Sequence, residues 1–427
     1  MIVVNLRSTV AALVLLAPQL GCATYTEEMS GVRSAYRGRS YGDALTRLEE
    51  SDIKEQDRNK LLYTLDKAMI KDRMGSHADA QQLFKDADAI VDELYTESIS
   101  NTVASFVVND STMDYAGEDF EKVALHTMWA LSYLQAGDLK SARVEAKRIN
   151  TRLQEINDGY DKDSKNRYSE DAFARFLAGM IFESLGEYDD AIIDYRKALT
   201  AYEGIYKTTF STPPPLPLLQ SLHRLLTLRK RSSELAELNK SYGSQIGKME
   251  PLPKQYGELI VIHESGTIAI KETMEFLFPY GSQVVRFSFP IVKFQPRNWG
   301  STGATLGDQK CEGATVENLD AIAHETMNDK RARVLLKQGV RLLAKGQIVD
   351  QARQNFGILG EITANIFTAA TETADTRSWT TLPSQILVTR CSLPAGEHTI
   401  NIKTAGVSHA VEKVQVRAGQ MTFLRTY

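Results

Sequence analysis

The chain has 427 residues, of which 43% are hydrophobic and 24% are charged, and its formal net charge is −4. This composition is ordinary for a globular protein and excludes a chain that is disordered throughout. The length exceeds what one core usually supports, so we expect two domains. A slightly negative charge argues against a nucleic-acid partner, which would need a basic face.

The N-terminus predicts export and lipidation. Arg7 precedes an uncharged, largely apolar run over residues 8–18, which is typical of an export signal and too short for a membrane span. The run leads to Gly21 and Cys22, and a small residue directly before a cysteine resembles a bacterial lipobox, although Gln19 stands where leucine is usual. We therefore predict a signal peptide over residues 1–21 and a lipid on Cys22. The alternative is an ordinary signal peptide in which Cys22 is incidental.

The residue after Cys22 predicts where the lipid anchor sits. Ala23 stands there in place of Asp, which by analogy with Gram-negative sorting indicates the periplasmic leaflet of the outer membrane. Two or more acyl chains make such an anchor effectively permanent. The sequence contains no other stretch that is long and apolar enough to span a bilayer, so we expect the protein to face the periplasm.

From about residue 25 to residue 240 the apolar residues recur with a helical period, and turn residues separate the helices. The clearest unit covers residues 185–199, where Gly186, Ala191 and Ala198 fall at the offsets of a tetratricopeptide (TPR) helix-turn-helix. The glycine closes the turn, and the two alanines keep the second helix slim enough to lie against the first. The sequence therefore predicts a helical repeat.

Weaker units of the same kind are predicted upstream, around Ala44, Ala80 and Ala142. Together with Ala191, these anchors are spaced by 36, 62 and 49 residues, whereas a strict repeat would give about 34. We therefore expect an irregular array of about four units. Polar insertions near residues 98–118 and 157–169 are typical of loops on one face of such an array.

A stacked array leaves a concave groove that is lined by the first helix of each unit. In the two best units the predicted groove residues are Thr127, Leu131, Leu134, Phe176, Met180 and Glu183. An apolar groove with one carboxylate suits a partner helix or an extended peptide, so these residues are the predicted partner-binding groove. The alternative is that the chain's own C-terminal helices cover them.

A change of period after residue 245 predicts a second domain. Short strands are expected at 258–263, 269–273 and 284–289, and again between residues 385 and 425. Residues of about 316–373 return to a helical pattern, which predicts a helical hairpin insertion. The predicted fold class is α+β multidomain. A TPR-like array over 22–245 precedes a small antiparallel β-sandwich-like domain over 246–427, which holds the insertion.

Two further cysteines, Cys311 and Cys391, lie in the predicted β domain. In an oxidising compartment they can form a disulfide, and two buried free thiols are the alternative. Sequence alone does not show whether their Cα atoms come close enough to be bridged.

A compact corner is predicted where the helical insertion meets the following strands. Asp375 and Arg377 are two residues apart and lie beside Trp379 in the sequence. We interpret them as a charge-assisted bond that fixes the corner and that the indole covers. The alternative is that the same residues form a ligand clamp.

The sequence shows no recognisable catalytic or metal site. The seven histidines are isolated, and His324-Glu325 lacks the second histidine of a zinc-protease helix. Nucleophile-elbow, Walker A, dinucleotide-binding and paired-cysteine motifs are also missing from the sequence. We therefore predict a protein without catalytic residues, metal or small-molecule cofactor. An enzyme assembled from scattered carboxylates is the alternative.

The order of these features resembles a known family. Residues 114–126, 141–150, 172–198, 256–266 and 375–396 are similar to an uncharacterised family of proteobacterial TPR-containing lipoproteins. The Gly-Glu-Leu strand entry at residues 257–259 and the Asp-x-Arg-x-Trp-x-x-Leu-Pro corner at 375–383 are its more specific parts. The family has no established activity. Its genes often lie beside one for a small lipoprotein that activates a penicillin-binding protein, which implies a role at the cell envelope.

We predict an outer-membrane-anchored periplasmic scaffold that binds an envelope protein or peptide, and the resemblance adds a link to peptidoglycan synthesis. The alternative is an envelope enzyme or glycan-binding protein that uses the β domain. A deep polar pocket around Asp375, Arg377 and His398 would favour that alternative.

Overall fold

The computed structural model describes residues 25–100, 112–160, 168–280, 283–293, 303–306, 309–330, 374–404 and 407–427. Cys22 and the whole predicted signal peptide lie outside these residues, as does 331–373, which is most of the predicted helical insertion.

The first part of the described chain is helical. Its helices are α1 (Tyr25–Glu28), α2 (Ser30–Arg37), α3 (Tyr41–Glu49), α4 (Lys60–Arg73), α5 (His77–Ser100), α6 (Asp119–Gln135), α7 (Leu139–Asp158), α8 (Ala172–Ser184), α9 (Tyr188–Ala201), α10 (Leu216–Leu228) and α11 (Ser232–Ile246). Short 3-10 turns at Asp52–Glu55 and Asp57–Asn59 precede α4, and a π-helical turn at Tyr202–Tyr206 extends α9. From α2 to α11 the helices pair as five antiparallel hairpins, so the helical part is a TPR-like array.

The hairpin turns share one backbone feature. Five residues before each anchor alanine, the chain adopts a positive φ: +80° at Gly75, +77° at Gly137 and +78° at Gly186. Arg39 at +60° and Lys230 at +53° take the same position in the first and fifth hairpins. A left-handed residue is what a helix needs to stop and reverse, and glycine adopts it at no steric cost.

A glycine also allows a close contact between two helices of the fourth hairpin. An added Cβ at Gly179 in α8 would lie 2.4 Å from ring atoms of Tyr195 in α9. The Tyr195 ring therefore occupies the space that a side chain at position 179 would need. This contact holds the fourth hairpin together, and the anchor Ala191 is fully buried beside it.

The strands are β1 (Tyr256–Ser265), β2 (Lys271–Tyr280), β3 (Gln283–Val292), β4 (Gly303–Leu306), β5 (Gln309–Asn318), β6 (Gln385–Pro394), β7 (Gly396–Thr404), β8 (Val407–Val416) and β9 (Met421–Thr426). Seven of them form one sheet in the order β8-β7-β4-β5-β6-β1-β9, and β2 and β3 pair separately. Residues 319–330 form a further helix, α12, directly after β5. Because β5 runs to Asn318, the helical segment begins slightly later than the predicted residue 316.

The sheet differs from the predicted antiparallel sandwich. Strand β9 runs parallel to β1, with Val261 opposite Leu424, and the remaining pairings in the sheet are antiparallel. Alternate β1 residues belong to different cores: Ile260 and Ile262 join the core of the helical array, whereas Leu259 and Val261 join strands β6 to β8. The array therefore covers one face of the sheet, where a sandwich would place a second sheet.

Candidate functional site: the array–sheet interface

The predicted partner groove is not open. All six of its residues are 0–7% exposed, and the fully buried Phe176 and Met180 share one core with sheet residues such as Ile260 and Val388. Helix α6 packs on β9, and α8 packs on β5. The prediction of a partner-binding surface along these six residues is therefore corrected. The chain's own strands fill the groove, where the alternative had expected C-terminal helices.

The single groove carboxylate is an anchor for the sheet. Glu183 in α8 accepts hydrogen bonds from Tyr195 Oη (2.6 Å) and from Arg390 Nη1 and Nη2 of β6 (3.2 Å each), and it also contacts Arg224 of α10. Arg390 makes a second, bidentate contact with Glu258 of β1 at 2.8 and 2.7 Å. Since a bidentate guanidinium–carboxylate pair fixes orientation, this cluster sets how α8 and α10 meet β1 and β6.

A second buried cluster joins α4 to the other end of β1 and to the edge strand β9. Arg73 of α4 and Arg425 of β9 both donate to Glu264 of β1, and Arg425 also donates to Asp72 of α4. The four side chains are 1–4% exposed. Burial alone would raise the pKa of Glu264, but Arg425 and Arg73 outweigh burial and hold that pKa below its ordinary value. The pKa of Asp72 is lowered in the same way by Arg425 and His77.

A third cluster surrounds the start of α6. Lys271 of β2 donates to Glu118 Oε1 at 2.7 Å, and Lys330 of α12 contacts Oε2 of the same carboxylate. Burial would raise the pKa of Glu118, but the two ammonium groups hold it well below its ordinary value. Three residues on, Glu121 accepts hydrogen bonds from the backbone N–H groups of Glu118 (3.0 Å) and Trp379 (2.8 Å). The capping box of α6 is therefore also a contact with the corner segment.

The predicted corner at residues 375–379 connects the strands to the helical array. Arg377 donates through Nε (2.9 Å) and Nη2 (2.8 Å) to the two carboxylate oxygens of Asp375, and through Nη1 to the carbonyl oxygen of Arg58 at 3.0 Å. Trp379 is fully buried, and its indole N–H donates to Thr381 Oγ1 at 3.1 Å. These contacts support the interpretation as a structural corner over that of a ligand clamp.

His398 belongs to a different part of the molecule from the corner. Its Nε2 lies 2.7 Å from the carbonyl oxygen of Pro394 at the β6–β7 turn. Asp375 and Arg377 are engaged with each other and with the array, so the three residues do not converge on one pocket in the described structure.

The two cysteines of the β domain link neighbouring strands. Cys311 of β5 and Cys391 of β6 are joined by a disulfide with a Cα–Cα distance of 5.7 Å, within the range that such a bond needs. Cys391 packs in the core on the sheet face away from the array, beside Leu259 and Leu393. The bond lies within the sheet and does not cross to the array.

The sequence analysis missed other charged groups of the interface. Asp66 is fully buried in α4, where it accepts hydrogen bonds from Tyr25 Oη (3.0 Å) and from the backbone N–H (3.1 Å) and Oγ1 (2.7 Å) of Thr381. Burial raises the pKa of Asp66 to about 7, because these bonds offset only part of the desolvation. The only signal in the sequence is an acidic residue among apolar ones in residues 61–70.

The contacts of the buried charged groups at the interface indicate a structural role. The buried carboxylates of the three clusters are each engaged by cations or hydrogen-bond donors from another element, an arrangement that fixes the interface. Within the described residues, the structure contains no cluster of three or more histidine, cysteine or acidic side chains that could hold a metal ion. None of the described helices is long and apolar enough to cross a membrane.

Comparison with known proteins adds little to this picture. No protein-family model matches the chain, and no curated protein matches it. Among solved structures, a crystal structure of MamA matches with a TM-score of 0.31 and 13% identity, over 50% of this chain and 93% of MamA. The apo form of RapI matches with a TM-score of 0.37 and 14% identity, over 56% of this chain and 58% of RapI. At these TM-scores the similarity carries no argument, and the repeat fold rests on the hairpins themselves.

The cluster around Glu264 predicts a large and pH-dependent loss of stability on substitution. In Glu264→Gln, Arg73 and Arg425 remain buried without their carboxylate, so we expect the free energy of unfolding at pH 7 to fall by about 3–5 kcal/mol. Because the pKa of Glu264 is lowered on folding, its contribution is present above its unfolded pKa of about 4.3 and disappears as pH falls below it. The difference between variant and wild type should therefore shrink in acid. Urea denaturation from pH 7 down to about pH 2 measures this, because the loss occurs between the unfolded pKa and the lower folded pKa.

Asp43→Asn provides the matched control. It removes an ion pair with Arg47 in which both side chains are about half exposed, so we expect a change of about 0.5 kcal/mol or less at every pH. Equal effects of the two substitutions would contradict the role of the Glu264 cluster.

Proposed function

We propose that the protein is a non-catalytic scaffold that binds an envelope protein or peptide while a lipid on Cys22 tethers it to the periplasmic leaflet of the outer membrane. The export signal and the lipobox-like Gly21-Cys22 pair support the tether. The array of helical hairpins supports a binding role, since stacked repeats of this kind present extended surfaces. The link to peptidoglycan synthesis rests on the family resemblance alone.

The binding surface in this proposal lies on the outer side of the array, because the inner groove is filled. The observation that carries it is an open cleft of about 540 Å³ between α7 and α9, the second helices of the third and fourth hairpins. Ile193 lines this cleft and is 50% exposed, so it is accessible to a bound chain.

The chemistry of the cleft suits an extended peptide. Lys147 of α7 and Lys197 of α9 offer cations, whereas Gln154 offers an amide that can pair with peptide backbone groups. Ile193 supplies an apolar contact for one side chain of the peptide. Most of the lining is polar, so the cleft can pair with the backbone groups of a peptide along its length.

Charged contacts hold the floor of the cleft rigid. Arg175 of α8 is 5% exposed, and it donates to Glu170 Oε1 at 2.7 Å and to Asp194 Oδ1 at 3.3 Å. This places a fixed guanidinium and two carboxylates at the base of the cleft. A preformed site of this kind loses less conformational entropy on binding than a mobile one.

A photoreactive residue at position 193 tests the cleft. Incorporated in place of Ile193 and irradiated in intact cells, it should give a crosslinked product of discrete mass that also contains another envelope protein. Leu228, which is 56% exposed at the end of α10 and does not line the cleft, is the matched control position. A probe in place of the fully buried Phe176 should react only within the chain. No product at 193, or the same products at 193 and 228, would overturn the cleft as the binding surface.

The lipid anchor is tested independently of the cleft. Cys22→Ser removes the only thiol in the lipobox-like segment, so we expect the protein to move from the membrane fraction to the soluble periplasm. Intact-mass measurement of the wild type should show the added acyl groups, and the variant should lack them. A variant that stays in the membrane fraction and carries the same added mass as the wild type would contradict the anchor proposal.

A further inference from the structure

We propose that the cavity between the first hairpin and the sheet binds a small ring-bearing oxyanion, such as an acidic sugar or a sugar phosphate. The cavity has a volume of about 200 Å³, and it is smaller than the roughly 300–1,000 Å³ of sites for drug-sized ligands. Its lining includes three arginines and three tyrosines: Arg37, Arg39, Arg73, Tyr36, Tyr41 and Tyr427. It forms only where the array meets the strands, so it is a product of their docking.

The rim carries two available cations. Arg37 and Arg39 are both exposed, and within the described part of the chain neither side chain has an ion pair or a side-chain hydrogen bond. A guanidinium presents planar donors that match the oxygens of a carboxylate or a phosphate. Two of them at one opening therefore favour an anion over a neutral ligand.

The floor of the cavity adds to the positive charge. Arg73 donates from Nε to Tyr36 Oη at 3.0 Å and contacts Glu264, which is the one acidic side chain in the lining. Glu264 is shared with Arg425, and Arg425 also binds Asp72. The side chains at the rim and the floor therefore comprise four cations and two anions. The cations are Arg37, Arg39, Arg73 and Arg425, and the anions are Glu264 and Asp72. The site therefore keeps a positive balance even though its floor contains an acid.

The backbone at Arg39 is an independent observation. Arg39 has a φ of +60°, and the same position is glycine in three of the other four described hairpins. A left-handed conformation is unfavourable for a residue with a Cβ, so glycine would serve the turn better. Lys230 shares this conformation in the fifth hairpin, but only at Arg39 does the side chain reach the cavity rim.

A tyrosine wall specifies a ring on the ligand. The rings of Tyr36 and Tyr41 lie 5.5 Å apart and those of Tyr41 and Tyr427 lie 6.5 Å apart, both edge to face. The Arg73 guanidinium lies 3.8 Å from the Tyr427 ring centre, and this cation–π contact fixes the Tyr427 ring against Arg73. Aromatic faces offer apolar contact to a flat or ring-shaped body. Thr267 also lines the cavity, and its hydroxyl group can pair with a ligand hydroxyl.

This inference does not rest on the proposed scaffold function. The cavity lies on the first hairpin, whereas the cleft for the protein partner lies between α7 and α9 of the third and fourth hairpins. Failure of either site in its own test leaves the other unaffected.

The test is isothermal titration of the full-length protein with glucose 1-phosphate, glucuronate, glucose and inorganic phosphate. We expect one or both acidic sugars to bind, and glucose to bind at least about tenfold more weakly, because it lacks the charge-assisted hydrogen bonds. Tighter binding of glucose 1-phosphate would identify phosphate as the preferred anion, and tighter binding of glucuronate would identify carboxylate.

Arg39→Gly separates binding from folding. Glycine relieves the left-handed backbone, so the melting temperature should stay the same or rise, while affinity for the acidic sugar falls about tenfold. Arg37→Gln should weaken binding in the same direction. Lys230→Gly is the matched control, since it makes the same backbone change in the fifth hairpin, away from the cavity lining, and should leave affinity unchanged.

Three results would overturn the proposal. The first is that neither acidic sugar binds. The second is that both variants at the rim bind as tightly as the wild type, or that Lys230→Gly weakens binding equally. The third is that inorganic phosphate alone binds as tightly as the sugar phosphate, because the tyrosine wall would then contribute nothing.

Discussion

Glu264 lies between two arginines that come from opposite ends of the described chain. Arg73 belongs to the second helical hairpin, and Arg425 belongs to the last strand. None of these charges can stay buried without a partner except at a large free-energy cost. The helices and the strands therefore have one relative position in which all of these charges are paired. The clusters at Glu183 and Glu118 impose the same condition at other points of the interface.

This constraint changes what the helical array can do. An array of hairpins normally offers its concave side to a partner, but here that side is occupied by the sheet. The filled groove becomes a core, as the complete burial of Phe176 shows. The binding sites that we propose are therefore on surfaces that docking leaves open or creates. The outer cleft at Ile193 belongs to the first kind, and the cavity at Arg39 belongs to the second.

Local signals in the sequence predicted the hairpins but not how they are used. Gly186 and Ala191 fall at fixed offsets, and both do what the pattern indicates, because a turn and a close helix contact depend on neighbouring residues. The fifth hairpin was not identified as a repeat, since Leu235 stands where the other four have their anchor alanine. Four of the six predicted groove residues are apolar, as the sequence shows. Apolar character cannot distinguish a partner's surface from the chain's own.

The sheet shows the same limit at longer range. Each strand pattern is local, whereas the pairing of β9 with β1 joins residues about 160 positions apart, and its parallel direction has no local signature. The buried acids Asp66 and Glu264 were missed for a related reason. A charge in an apolar stretch becomes interpretable only when its partner is known, and those partners lie in other parts of the fold.

The central claim is that array and sheet form one cooperative unit through their buried charges. Differential scanning calorimetry of the full-length protein tests it most directly. The account predicts a single unfolding transition at pH 7 in which the calorimetric and van't Hoff enthalpies agree. Two separate transitions, one for the helical array and one for the sheet, would contradict it.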